Sequence, residues 1–143
     1  MNTTDTLASR LEAEGWKPRN LPGFAGLVGP LWTRKEDLNW VYGIVTGAQH
    51  LNPAGMVHGG LLMSLMDHAL SAIAWESAGR RACVTVQMDT QFLSAGRADQ
   101  FLKARGHVTH STGSMVFAAG DIVADGVPVL TGSAVLKIID SAN

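Results

Sequence analysis

The sequence predicts an α+β fold in which a curved antiparallel β-sheet wraps around one long central helix. Residues 57–77 form an apolar run of helical length with apolar side chains on nearly every face, as expected of a buried helix. The second half of the chain changes period, because residues 84–89, VTVQMD, alternate between apolar and polar side chains as a strand does. Ten strand residues and twenty helix residues both span about 30 Å, so sheet and helix match in length.

Shorter elements precede the long helix. A short N-terminal helix is predicted to end near Gly15. Residues 19–30, RNLPGFAGLVGP, are rich in glycine and proline and predict a loop. Residues 27–33 predict a short strand, and residues 39–48, with their aromatic and β-branched side chains, predict a longer one.

The pattern after the helix predicts a meander of four long strands. They cover residues 84–93, 100–109, 114–124 and 127–139. Asp125-Gly126 is a strong signal for a two-residue hairpin. Turns between consecutive strands predict that each strand pairs with its neighbour in sequence.

Composition indicates the class of protein. With 143 residues the chain suits one principal domain, which we assign to residues 27–143 after an N-terminal helix and loop over residues 1–26. Hydrophobic residues make up 46% and charged residues 16%, so we expect a homo-oligomer whose copies cover each other's apolar surface. A net charge of −1 without a basic patch argues against nucleic acid as a partner. No secretion signal or membrane-spanning run is apparent, so we expect no membrane partner and a cytoplasmic protein.

The step His58-Gly59-Gly60 opens the predicted helix. Glycines lack a Cβ, so a ligand can approach their backbone closely. The first N–H groups of a helix have no intrahelical acceptor, and the helix dipole adds partial positive charge there. Such a helix start can hold an oxygen that becomes an anion during a reaction. The alternative is structural: the glycines let the helix pack tightly, and His58 satisfies a backbone group.

Asp67 is a carboxylate within the apolar run. Aspartate is rarely buried unless it is paired, so Asp67 is a candidate functional group, an exposed residue, or a partner of His68. Asp67 and Gly59 would lie about 12 Å apart on one straight helix, so one substrate atom cannot contact both. If they share a site, they come from two chains related by a two-fold axis. Ser71 follows on the same helix face, and Thr85 on the next strand is placed to reach the same cleft.

Residues 52–67, NPAGMVHGGLLMSLMD, resemble the hotdog-fold acyl-CoA thioesterases, in particular the phenylacetate-pathway type of the 4-hydroxybenzoyl-CoA thioesterase superfamily. The family pattern is an Asn, a Gly, an HGG step and an acidic residue nine positions after the His, and all four elements stand in register here. The order of elements agrees over residues 27–140. The resemblance implies a hotdog fold and hydrolysis of coenzyme A thioesters without a cofactor or metal ion. It also implies a homodimer with shared active sites, assembled into a tetramer.

The resemblance also implies roles for individual residues. The N–H of Gly59 and the side chain of Asn52 would polarise the thioester carbonyl. Asp67 of the other chain would act as general base on water or as nucleophile. Thr85 would help to place the water, with Ser71 as the other candidate.

Three further residues complete the predicted site. His58 would orient the substrate or assist the leaving group, and Gly60 would contact the substrate. Arg97 is the predicted contact for the coenzyme A phosphates, which require basic side chains. Lys103 and Arg105 are the other basic residues available for this purpose.

Other functions fit the same fold. One is a dehydratase acting on acyl carriers, and another is a non-catalytic acyl-CoA sensor. A purely structural oligomer would leave Asp67 and the Asn52 loop unexplained. The acyl group is open, as is the choice between coenzyme A and an acyl-carrier protein. Six apolar or aromatic side chains are candidates for the acyl pocket: Trp40, Tyr42, Met63, Met66, Trp75 and Phe92.

Overall fold

The computed structural model describes residues 3–139, which form three helices, a 3-10 turn and seven strands. In chain order they are α1 (Thr3–Ala13), β1 (Lys17–Arg19), α2 (Phe24–Val28), β2 (Leu31–Glu36), β3 (Asn39–Val45), the 3-10 turn (Ala48–His50), α3 (Gly59–Ser77), β4 (Cys83–Phe92), β5 (Phe101–Ser111), β6 (Met115–Ala124) and β7 (Val127–Ile138). The strands form one antiparallel sheet in the order β1-β2-β3-β5-β6-β7-β4.

The long helix α3 packs along the sheet and contacts strands β3 to β7. Its buried side chains supply much of the main core. Two sheet glycines let the helix lie close, because a Cβ on Gly120 would stand 2.8 Å from Met66 Cε and one on Gly106 would stand 2.8 Å from Leu70 Cδ2. The predicted architecture, a sheet around one central helix, is therefore confirmed.

The predicted meander of four consecutive strands is wrong in one respect. Strands β5, β6 and β7 do pair in sequence order, but β4 pairs with β7 and lies at the edge of the sheet. The other neighbour of β5 is β3, with Tyr42 opposite Ala104. The connection over residues 93–100 is therefore a crossing rather than a hairpin turn. Strand β3, whose residues 41–44 are all buried, occupies the edge of β5 that β4 would have needed.

The segment before β2 also differs from its prediction. The predicted loop contains the short helix α2, and the strand predicted from residue 27 begins only at Leu31. A five-residue helix is too short to show a helical period in the sequence. Helix α2 has no buried residues of its own. It is held at its end by His50, whose Nε2 lies 2.8 Å from the carbonyl oxygen of Val28.

The predicted N-terminal helix is confirmed as α1. Its Leu7 and Leu11 pack with Trp16, Trp32 and Val41 in a second, smaller core, separate from the one around α3. None of the helices within residues 3–139 is both long enough and apolar enough to cross a membrane.

Candidate active site

The start of α3 leaves one backbone donor free. The Nδ1 of His58 caps the helix by accepting the N–H of Gly60 at 2.8 Å. The N–H of Gly59 has no hydrogen-bond acceptor among residues 3–139. The Phe92 ring packs against Gly59, where a Cβ would stand 3.1 Å from Phe92 Cε1. His58 therefore satisfies the amide of Gly60, the second glycine, and only Gly59 presents an unused N–H.

Asn52 belongs to a small hairpin that leads into this helix start. Leu51 pairs with Val57 across the hairpin. The Oδ1 of Asn52 accepts the N–H groups of Ala54 at 2.9 Å and Met56 at 3.2 Å. These two donors determine which end of the amide is the oxygen. The NH₂ group of Asn52 is thus the end available to a substrate, and it is a donor, as a thioester oxygen requires.

Asp67 is hydrogen-bonded to Thr85, the strand residue that was predicted to reach the same cleft. The Thr85 hydroxyl donates to Asp67 Oδ1 at 2.5 Å, and Ser71 Oγ lies 3.5 Å from Thr85 Oγ1. Asp67 makes no hydrogen bond to the neighbouring His68, one of the two structural alternatives, and it is half-buried rather than exposed, as the other would require. The structure therefore brings Asp67, Ser71 and Thr85 together as one polar group on α3 and β4.

A β-bulge places Thr85 toward α3. In the pairing of β4 with β7, Thr85 is opposite Leu136 but Gln87 is already opposite Val135, so Val86 is an extra residue. The predicted alternation, with Thr85 and Gln87 on one polar face, is consequently wrong. Val86 is exposed, whereas Met88 packs against the main core.

A cavity of about 320 Å³ lies beside Asp67. Helix α2 and α3 form two of its sides, and it is lined by Phe24, Ala25, Val28, Gly29, Leu31, Ile44, Ser64, Leu65, Asp67, His68 and Ser71. None of the six side chains proposed from the sequence for the acyl pocket lines it; Tyr42 and Met66, for example, are core residues. The contribution of α2 was not predicted, since the glycines of that segment indicated only a loop.

His68 is a cavity residue to which the sequence assigned no function. It lines the cavity, and its ring packs edge-on against Tyr42 with centroids 6.1 Å apart. Burial lowers the pKa of His68 from its ordinary value of 6.5, and the charge of Asp67 opposes this only in part. The imidazole is therefore neutral at pH 7. Burial, with a smaller effect of Glu76, raises the pKa of Tyr42 to about 12, so that hydroxyl is also neutral.

Of the three basic residues considered for the coenzyme A phosphates, two form ion pairs with acidic side chains and one does not. The Nζ of Lys103 lies 2.7 Å from Glu36 Oε2, and Arg105 pairs with Asp121 at 3.9 Å. The exposed guanidinium of Arg97 makes no ion pair or hydrogen bond within residues 3–139. Its loop lies beside the start of α3, because the N–H of Val57 donates to the carbonyl oxygen of Gly96 at 2.9 Å. Arg97 is thus the free cation near the HGG step.

Within a single chain, the predicted oxyanion donors and the predicted acid lie too far apart to act on one substrate atom. Gly59 and Asp67 stand eight positions apart on the same helix, about 12 Å along its axis. Neither Gly59 nor Asn52 lines the cavity beside Asp67. Each chain thus holds a donor half, Asn52 and Gly59, and an acid half, Asp67 with Thr85 and Ser71.

The described residues contain no preformed metal centre. Within residues 3–139, no three side chains of His, Cys, Asp or Glu are grouped as they would be to hold a metal ion. His50 is buried and structural: its Nδ1 accepts the N–H of Gly47 at 3.0 Å, and its other ring nitrogen holds α2.

Comparison with solved structures shows the same fold in several organisms. A Bacillus halodurans protein solved with CoA is 21% identical, over 98% of this chain and 90% of that one, with a TM-score of 0.78. A phenylacetic acid degradation-related protein from Ralstonia eutropha JMP134 is 23% identical, over 96% of this chain and 100% of that one, with a TM-score of 0.74. Zebra fish thioesterase superfamily member 2 is 19% identical, over 97% and 100%, with a TM-score of 0.74. No curated protein matches the sequence.

The sequence itself matches a family model. The model of the thioesterase superfamily covers residues 54–131, more than half of the chain. That stretch contains the HGG step, Asp67 and Thr85. The resemblance noted in the sequence is therefore confirmed: this chain is a hotdog-fold member of the thioesterase superfamily, a family of thioester hydrolases.

Proposed function

We propose that this protein hydrolyses the thioester bond of an acyl- or aryl-coenzyme A at a site that two subunits of a homodimer build together. The observation that carries the proposal is the unused N–H of Gly59 at the start of a 19-residue helix. A free amide on the positive end of a helix dipole is suited to an oxygen that gains negative charge. The Asp67–Thr85 pair supplies the group that activates water.

The proposed reaction uses each half of the site for one part of the chemistry. Asp67 takes a proton from a water molecule while the water oxygen attacks the thioester carbon. The carbonyl oxygen becomes an oxyanion, which accepts hydrogen bonds from the N–H of Gly59 and the NH₂ of Asn52 of the partner subunit. When the C=O bond reforms, the C–S bond breaks and coenzyme A leaves as a thiolate, and the proton held by Asp67 then passes to that sulfur, which restores the carboxylate. Asp67 acting directly as the nucleophile is the alternative within this mechanism.

Other residues have supporting roles in the proposal. The Thr85 hydroxyl occupies one oxygen of Asp67 and leaves the other for water, with Ser71 next to it. His58 stabilises the start of the helix by capping the N–H of Gly60, and Gly60 is proposed to contact the substrate. Arg97 is proposed to pair with a phosphate of coenzyme A because its guanidinium is free.

The wider proposal concerns the carrier, the assembly and the compartment. Coenzyme A as carrier is supported by the CoA in the Bacillus halodurans structure, and the phenylacetate-pathway type by the Ralstonia eutropha relative. The exposed Val84 and Val86 on the edge strand β4 support a dimer, and Phe24 and Leu27 on α2 offer further apolar surface for a tetramer. We place the reaction in the cytoplasm.

The direct test is release of free thiol from a panel of straight-chain and aromatic acyl-CoAs. We expect the wild-type protein to release coenzyme A from at least one member. Tight calorimetric binding without thiol release would instead support an acyl-CoA sensor. Hydration of an unsaturated acyl chain with the thioester intact would support a dehydratase.

The shared site predicts complementation between two inactive variants. Asp67→Asn disables the acid half, and Asn52→Asp removes one of the two donors of the donor half while keeping the Oδ1 acceptor that holds the hairpin. A mixed dimer has one site with Asp67 from one chain and Asn52 from the other. Random assortment makes half of the dimers mixed, so co-expression should restore about a quarter of wild-type activity.

Two differently tagged chains allow the mixed dimer to be isolated and its thiol release to be measured. Each variant expressed alone is the control for residual activity. Activity of the mixed dimer no higher than that of the two parents would contradict the shared site, because a site within one chain would be damaged in both.

A further inference from the structure

His50 is a buried histidine whose ring joins two segments that are distant from each other in the sequence. It is only 5% exposed. Its Nδ1 accepts the N–H of Gly47 at 3.0 Å, and its Nε2 lies 2.8 Å from the carbonyl oxygen of Val28. Because a backbone N–H only donates, Nδ1 carries no proton, and the ring proton is on Nε2, which donates to Val28. One neutral ring therefore holds a turn with one nitrogen and α2 with the other.

The Nδ1 contact shapes the chain that carries the proposed oxyanion donors. The turn is closed twice, because the N–H of His50 also donates to the carbonyl oxygen of Gly47 at 3.0 Å. The carbonyl oxygen of His50 accepts the N–H of His58 at 2.8 Å, and Gly59 follows directly. Asn52 lies two residues after His50, in the hairpin that this bond closes. The orientation of the His50 backbone therefore affects both donors, and the Nδ1 contact holds that orientation.

The Nε2 contact acts on a different part of the molecule. Among residues 3–139 it is the only hydrogen bond between α2 and another segment, and α2 has no buried residues of its own. Phe24, Ala25 and Val28 of α2 form one wall of the cavity of about 320 Å³ beside Asp67. The position of this wall therefore depends on the Nε2 of His50, whereas the oxyanion donors depend on its other nitrogen.

In the proposed dimer, the two contacts of one His50 ring act on two different active sites. The hairpin of a chain serves the site that contains Asp67 of the partner subunit. Helix α2 of the same chain lines the cavity beside that chain's own Asp67. Loss of the Nδ1 contact alone should thus impair the chemical step at one site, and loss of the Nε2 contact alone should impair substrate binding at the other.

We infer that His50 is a positioning residue whose Nδ1 holds the oxyanion donors in place for the chemical step and whose Nε2 holds the cavity wall in place for substrate binding. The inference rests on the proposed thioesterase function, because it assigns a further residue to the same reaction. His50 acts through Gly47 and Val28 rather than by contact with the reacting atoms. Its two contacts therefore have separable effects, one on kcat and one on KM.

Asparagine and glutamine at position 50 each preserve one of the two contacts. In His50→Asn, the new Oδ1 is as many bonds from the backbone as Nδ1 is, so it can accept the N–H of Gly47, but the side chain is too short to reach Val28. In His50→Gln, the new NH₂ group is as many bonds from the backbone as Nε2 is, so it can donate to Val28. That variant leaves the N–H of Gly47 without its acceptor.

The two variants should therefore differ in which kinetic constant they change. We expect His50→Gln to lower kcat for thiol release by about 10- to 100-fold at nearly constant KM, as displaced catalytic groups do. We expect His50→Asn to raise KM by about tenfold, the equivalent of one hydrogen bond, at nearly constant kcat. His107→Asn, an exposed substitution on β5, is the matched control and should behave as the wild type does.

The mixed dimer of Asp67→Asn and Asn52→Asp chains distinguishes positioning from a general loss of stability. Its one intact site takes Asn52 and Gly59 from the Asp67→Asn chain and Asp67 from the Asn52→Asp chain. His50→Gln should lower kcat only when it is placed on the Asp67→Asn chain. His50→Asn should raise KM only when it is placed on the Asn52→Asp chain. Effects that are the same on either chain would overturn the positioning role.

The remaining outcomes separate this inference from the proposed function. Equal changes of kcat and KM in His50→Gln and His50→Asn, or wild-type kinetics in both, would overturn the role of His50 while leaving the thioesterase intact. Absence of thiol release by the wild type from every acyl-CoA would overturn the proposed function, and the role of His50 with it. If one variant does not fold, the other decides: a fall of kcat in His50→Asn, or wild-type kcat in His50→Gln, contradicts the inference.

Discussion

Replacing Asp67 by asparagine is expected to lower kcat for thiol release by about 10²- to 10⁴-fold, the usual contribution of a general base. The amide has nearly the same shape as the carboxylate and can still accept the Thr85 hydroxyl through its oxygen. It cannot take a proton from water or attack the thioester. The fold should persist, because Asp67 is only half-buried and makes no ion pair within residues 3–139.

The matched control for this change is Asp37→Asn. Asp37 is exposed in the turn between β2 and β3 at φ 55°, a conformation that asparagine also tolerates. Steady-state kinetics and thermal unfolding of both variants separate chemistry from stability. Turnover by Asp67→Asn within a few-fold of the control would remove Asp67 from the mechanism, whether as base or as nucleophile.

Replacing Asn52 by aspartate is expected to lower kcat/KM by about 10²- to 10³-fold, as the loss of one oxyanion donor does. The new carboxylate retains the oxygen that accepts the N–H groups of Ala54 and Met56, so the hairpin should keep its shape. It loses the NH₂ group and places negative charge where the thioester oxygen becomes an anion. The variant thus tests the donor half of the site without disturbing the loop.

Asn20→Asp, in the exposed segment between β1 and α2, introduces the same charge away from the site and is the control. The two variants should show similar midpoints of thermal unfolding. Wild-type kcat/KM in Asn52→Asp would mean that the thioester oxygen is held by other groups. In that case the complementation experiment would have to pair Asp67→Asn with a variant at Gly59.

The residues proposed to carry the chemistry could be selected from the sequence because they are close together along the chain. The HGG step and Asp67 lie on one helix, whose apolar character is visible over residues 57–77. Thr85 was predicted to reach the same cleft, and its hydroxyl does contact Asp67. Helix spacing alone also predicted that Gly59 and Asp67 cannot share a substrate within one chain.

Features that depend on contacts distant in sequence could not be predicted in the same way. The position of β4 at the edge of the sheet depends on whether β3 or β4 pairs with the free side of β5. Local sequence patterns contain no information about that choice. The bulge at Val86 depends on the register with β7 and reverses the expected alternation near Thr85. The cavity beside Asp67 could not be predicted because one of its sides is α2, a single helical turn in a glycine-rich segment that is held by the distant His50.

The sequence by itself therefore determined the central helix, its wrapping sheet, the family and the residues proposed as acid and donors, since each depends on spacing within a short stretch. Only the tertiary structure decided which glycine keeps a free N–H, which end of Asn52 faces outward and which side chains surround Asp67. Those properties depend on hydrogen bonds and packing between residues that the fold brings together, such as His58 with Gly60 and α2 with α3. Burial, which lowers the pKa of His68, is likewise a property of the folded chain.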